Sequence, residues 1–288
     1  MKRLRTAERP WGIPRAPEYP GESRRVAGRL ATDGAEIEEV EYAAGLCIAR
    51  HAHGAAQIIY IEEGTHWSGH SRGGDECPPG TVRFLPPGEP HENYFPAGSR
   101  CLGAELRDGM LRLAEQEGRI PEASGELAGG AARQGARLVR EFRQRDDLTG
   151  LAIDGLLVEL LLWGVGGEEA RRGRAPRWLL GVRERLHEEE PRHLTLGELA
   201  RTAGRHPVQV CRQFRQHFGC TISEYVRQTR VARAQLLLTR GEMSVAEIAL
   251  ASGFADQSHF TNAFRRVAGM PPHQYRKRSA ERSAEPGG

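Results

Sequence analysis

The sequence predicts an α+β protein with its strands first and its helices last. Three observations carry this. From about Val26 to Gly103, short apolar runs are broken at regular intervals by Gly, Pro and Asn, the pattern of a β-barrel or sandwich. After that, apolar residues recur three and four apart, the helical period. Finally, the last hundred residues contain an internal repeat of about 50 residues, which identifies a duplicated helical unit.

The strand runs are EIEEVEYA, LCIARHAH, AQIIYIEEG, TVRFLPPG and CLGAEL. GARLVREFRQ and LAIDGLLVELLLWGV read as helices that extend the barrel domain. Residues 151–165 are apolar almost all round, so that helix is expected to bury against the barrel or a partner subunit. The expected organisation is an unstructured Arg/Pro-rich arm over 1–25, a barrel domain with C-terminal helices over 26–165, a polar Gly-containing linker over 166–176, an all-α domain over 177–279, and a tail over 280–288.

Composition narrows the function. No apolar run approaches the roughly 18 residues of a membrane span, and the N-terminus has basic residues without an apolar core, so it does not read as a secretory signal. The five cysteines occur singly, which fits reduced thiols in the cytoplasm; Cys77, beside acidic residues and prolines, is the one expected to be exposed. The net charge of +3 hides an asymmetry: residues 176–288 hold 18 Lys+Arg against 11 Asp+Glu, +7, which leaves −4 for the rest. A basic C-terminal part suits a nucleic-acid partner. The templates GxxxxGK[ST], GxGxxG, HExxH and GxSxG are absent, so no common nucleotide or hydrolase chemistry is indicated.

The repeat is specific in its placement. Leu199, Ala200 and Gly204 recur as Ile248, Ala249 and Gly253; Val210, Phe214, Gly219 and Tyr225 recur as Phe260, Phe264, Gly269 and Tyr275. Each copy reads as a short helix, a Gly turn and a second helix, which is the helix-turn-helix layout. Pro207 suits the first position of one second helix, and Asp256 is a good N-cap for the other. A long helix over 222–239 joins the copies. Two such units can enter successive major grooves, about 34 Å apart. The candidate base-reading positions are Val208, Gln209, Cys211, Arg212 and Arg215 on the first second helix, and Gln257, Ser258, His259, Thr261 and Asn262 on the other. Arg suits guanine edges, and Gln or Asn suits adenine. Arg201, Arg205, Arg227, Arg265 and Arg266 are expected on phosphates. Phe214, Phe264, Tyr225 and Tyr275 are assigned to core.

Residues 176–277 resemble the DNA-binding domain of the AraC/XylS family, through LTLGELA, RQFRQHFG, EYVRQTRVARAQLLL and above all SVAEIALASGFADQSHFTNAFRRVAGMPPHQYR. The resemblance implies a transcription factor, usually an activator, that engages double-stranded DNA and RNA polymerase, with a sensor domain and in many relatives a homodimer. His206 departs from the family's usual Ser at the first N-cap.

Gly45-x5-His51-x-His53-x3-Gln57-x6-Gly64, then Gly80-x5-Pro86-x-Gly88-x2-His91, resemble the two motifs of the cupin barrel. In metal cupins the set is two His, a Glu and a third His; here Gln57 stands at the Glu. His51, His53, Gln57 and His91 are therefore candidate ligands of a divalent metal, in a neutral and weaker site. The other reading is a polar pocket for a small-molecule effector, with Trp67, His66, His70, Tyr60, Tyr94 and Phe95 as candidate lining. A ligand-controlled regulator with no catalytic residue and no required cofactor is the leading expectation; a metal-dependent cupin enzyme or a metal-sensing regulator with the same DNA-binding part is the alternative.

Overall fold

A computed structural model describes residues 23–70, 73–116, 124–127, 130–163, 175–188, 195–240 and 243–284. Nearly all of the expected arm and linker, and the end of the tail, lie outside the described residues. By contacts the chain divides into two units, Met1–Leu111 with Ile120–Ala136, and Arg112–Arg119 with Arg137–Gly288.

The first unit is built from two antiparallel sheets. One has the order β1 (Arg24–Ala31), β2 (Ala35–Tyr42), β9 (Ser99–Leu106), β4 (Gln57–Gly64), β7 (Val82–Leu85), β10 (Gly125–Glu126). The other has the order β3 (Leu46–His51), β8 (His91–Phe95), β5 (His66–His70), β6 (Gly73–Cys77). Side chains alternate across each strand. On β4, Ile59 and Ile61 pack with Cys77 and Cys101, so this side faces the inside and Gln57 shares it. Tyr60 faces the other way; a side chain on Gly135 would strike its ring at 2.2 Å. The turn glycines Gly64 and Gly98 have φ of 72° and 77°, the left-handed region that a side chain disfavours.

Helix α1 (Asp108–Gln116) follows β9, and α2 (Ala131–Gln144) follows β10. The second unit contains the C-terminal part of α2, then α3 (Thr149–Trp163), α4 (Arg177–Glu188), α5 (Leu196–Ala203), α6 (Pro207–Phe218), α7 (Ile222–Arg240), α8 (Val245–Ala251), α9 (Gln257–Ala268) and α10 (Pro272–Ala284). Helix α10 thus runs into the segment expected to be a tail.

The repeat is visible as structure. Thr195 and Ser244 each form a capping box, with Glu198 and Glu247, at the start of α5 and α8. Each box satisfies two backbone donors that a helix N-terminus leaves open. Gly204 ends α5 at φ 57°, and Gly219 and Gly269 end α6 and α9 at φ 73° and 76°. Phe214 packs on Phe218 and Tyr225 in one copy; Phe260, Phe264 and Tyr275 pack edge-on in the other.

Helix α3 corrects an expectation. Its periodicity called for burial against the barrel or a second subunit. Instead it packs against α5, α6 and α7 within the second unit. Ile153, Leu156, Leu157, Val158, Leu160 and Leu161 are all buried. An all-round apolar helix demands cover, but periodicity does not say by which neighbour.

A buried ion network joins α7 to the region before α3. Arg227, 5% exposed, holds Glu141 through two bonds of 3.0 and 2.7 Å and Asp146 through two of 2.7 and 2.8 Å. Arg230 makes a two-pronged pair with Asp147 at 2.9 and 2.7 Å. Arg227 is therefore no phosphate contact: it is committed to the protein's own carboxylates.

Candidate nucleic-acid interface and barrel interior

The two second helices of the repeat differ at matching positions. On α9, Asp256 accepts from the backbone N–H of Ser258 at 2.8 Å and of His259 at 2.9 Å. Gln257, Ser258, Asn262 and Arg265 are exposed, and His259 and Thr261 are half-buried. Phe260, Ala263 and Phe264 face the core. This is a capped helix with an open polar side, the arrangement a major-groove reader needs.

On α6, Arg212 is exposed and Gln209 half-buried. Val208 and Cys211 are buried, at 1% and 8% exposure, which corrects their placement as exposed base readers. Arg215 donates to Glu159 of α3. Glu159 is largely withdrawn from solvent, its side chain 12% exposed, and that burial pushes its carboxyl pKa up against the pull of Arg215 and Arg137. Pro207 starts α6, but the His206 side chain does not cap it. Arg201, Arg205, Arg265 and Arg266 remain on the surface, Arg266 lying 3.7 Å from Glu141.

Inside the first unit, three histidines converge. The ring centroids of His51 and His91 lie 4.4 Å apart, of His51 and His53 4.8 Å, and of His53 and His91 5.2 Å. One nitrogen from each falls within 4.8 Å of the others. His51 Nδ1 lies 2.8 Å from the Ala49 carbonyl, and His91 Nδ1 lies 3.2 Å from that of Glu89. A carbonyl only accepts, so each Nδ1 is the donor there, and in a neutral ring that leaves Nε2 as the lone-pair nitrogen a metal ligand needs. Burial also pushes the pKa of His53 down and that of His91 down to about 4, so burial favours the neutral form of these two rings. The donor set therefore fits a divalent ion such as zinc, with no carboxylate to add charge.

Deeper, Arg83 on β7 is 1% exposed. Its Nη1 donates to Asp75 at 3.0 Å and to the Cys77 sulfur at 3.4 Å, while Nε and Nη2 find no protein partner. Beside it, His66 is 4% exposed, with burial and then Arg83 lowering its pKa to about 4. Phe95 packs on His66 at 5.1 Å, and His70 bonds Asp75 at 3.1 Å. Tyr60, Trp67 and Tyr94 lie on the other side of their strands, by the same alternation. Trp67 lies over Gly69 and Gly74, where a Gly74 side chain would strike the indole at 1.9 Å. Cys77, expected to be exposed, is fully buried. Arg83 was not legible as a site residue: a single Arg in an apolar strand run carries no motif.

Such a molecule, a histidine-lined antiparallel barrel unit followed by paired helix-turn-helix units, defines a class that joins a ligand-binding domain to a helix-turn-helix domain. Residues 38–107 match the AraC-like ligand binding domain, and residues 199–278 match a helix-turn-helix domain. The first match describes an AraC-like module and the second a helix-turn-helix module, each over about a quarter of this chain. Among its relatives is the HTH-type transcriptional regulator GlxA of Rhizobium meliloti, 38% identical over 101 residues, which are 35% of this chain and 31% of that one. Another is the HTH-type transcriptional activator RhaR of Klebsiella pneumoniae, 46% identical over 67 residues, 23% of this chain and 24% of that one. The chain thus spans a quarter to a third of the curated relatives it matches. The C-terminal domain of AraT, a response regulator from Geobacillus stearothermophilus, aligns with 37% of this chain and 88% of its own at 27% identity and a TM-score of 0.35. Among the described residues no helix is long and apolar enough to cross a membrane.

Proposed function

We propose that this protein is a sequence-specific DNA-binding transcription regulator, acting as an activator, whose barrel takes a small-molecule effector. The observation that carries the reading is the open side of α9, where Gln257, Ser258, Asn262 and Arg265 stand exposed on a helix fixed from behind by Phe260 and Phe264. Asn and Gln side chains pair with adenine edges, and Arg with phosphate or guanine. The basic excess of the C-terminal part adds the non-specific attraction to DNA. The reading assigns no catalytic role, places the protein in the cytoplasm with RNA polymerase as a further partner, and allows a homodimer.

The effector chemistry that suits the interior is anionic. A buried guanidinium with two unpartnered N–H directions is costly to bury, and a carboxylate would satisfy both at once. A second reading is favoured by the histidine triad: a divalent ion held by His51, His53 and His91, with Gln57 on the same inward-facing side, so that the metal itself is the signal or serves an enzymatic reaction in the barrel.

Selection from a random-sequence duplex library with the full chain tests the proposal. Enrichment of a defined motif, relaxed at one base position by Asn262→Ala, is the expected result. Recovery of unenriched DNA, or none, overturns it.

A further inference from the structure

The repeat supplies its own control for α6. At an offset of 50, Val208 corresponds to Ser258, Cys211 to Thr261 and Arg215 to Arg265. On α9 this stripe is polar, with Ser258 and Arg265 exposed and Thr261 half-buried. On α6 the same stripe is apolar at two of three places, and its apolar members are buried. At two of its three places, Cys211 and Arg215, the neighbour lies on α3. A Cβ on Gly155 of α3 would sit 3.8 Å from the Cys211 sulfur, and one turn further along both helices Glu159 meets Arg215. Gly155 and Glu159 are four residues apart, as are Cys211 and Arg215, so stripe lies on stripe. Leu151, Ala152, Gly155 and Glu159 enclose Cys211 together with the start of α7.

We propose that α3 is an intrachain occupant of the DNA-reading surface of α6, a carboxylate standing where a phosphate or base edge would otherwise meet Arg215. In this state the second helix-turn-helix unit is free to read DNA and the first is not. Release of α3 converts a one-groove reader into a two-groove reader. This rests on the DNA-binding reading above.

The residues themselves provide the test. Gly155→Cys places a thiol against Cys211 within reach of a disulfide after a small shift, and helical Gly155 has no other neighbour that a Cβ would strike. Peptide mapping confirms the 155–211 link. Oxidised and reduced protein then select motifs from a random-sequence duplex library about four helical turns long. Reduced protein is expected to enrich two motif halves about one turn apart, and oxidised protein only one. Two halves selected equally in both states overturn the plug while leaving the DNA-binding reading intact. No enrichment in either state overturns that reading. In that event the alkylation rate of Cys211 decides the plug separately: Glu159→Gln should raise it several-fold over wild type if α3 opens, and an unchanged rate rejects opening.

Discussion

Glu159 on α3 accepts a hydrogen bond from Arg215 on α6, and the counterpart of Arg215 in the second repeat, Arg265, stands open. One fold unit is thus used twice with different surroundings. The asymmetry sets what each helix is expected to do.

On the open helix, Asn262→Ala should cost about 1–3 kcal/mol in binding the selected motif and relax one base position. Arg265→Ala should instead weaken binding across all sequences and reduce the salt dependence by roughly one counterion. Affinities measured over a salt series on selected and scrambled duplexes distinguish the two. Equal sequence-independent losses would deny Asn262 a reading role.

Arg227 holds two buried carboxylates, and losing it leaves Glu141 and Asp146 without their main cation. Arg227→Met should destabilise the chain by about 3–5 kcal/mol, seen as a lowered urea midpoint. Replacing all three by apolar residues of similar volume should recover most of that loss.

Stability should fall in mild acid. The His66 pKa is lowered by burial to about 4 from an unfolded value of 6.5. Between these limits the unfolded chain binds the proton and the folded chain refuses it. The penalty is therefore absent above pH 6.5 and grows as pH falls towards 4, reaching about 3 kcal/mol from His66 alone. Urea unfolding at pH 7 and pH 4.5 measures it; His66→Gln should flatten that part of the profile.

The histidine triad makes a stoichiometric prediction. Dialysis against zinc should load about one ion per chain, counted by mass spectrometry. His51→Ala/His91→Ala should load none. Equal loading of both proteins would remove the triad as the site.

Much of this molecule was legible in its residues. The repeat at an offset of about 50 places Gly204 with Gly253 and Phe214 with Phe264, because helix, turn and core positions are local features with local spacing. The strand runs announced the barrel unit, and the spacing of His51, His53 and His91 announced their meeting, since β3 and β8 pair in register at His51 and His91. Tertiary structure alone decided the rest. Val208 and Cys211 were read as exposed because a helical period tells which residues share a side, not which sides are covered. Arg227 finds Asp146 across 81 residues and Glu141 across 86, and Arg215 finds Glu159 across 56. A contact between distant stripes leaves no trace in either stripe's own pattern, beyond the apolar Val and Cys that α6 carries where α9 carries Ser and Thr.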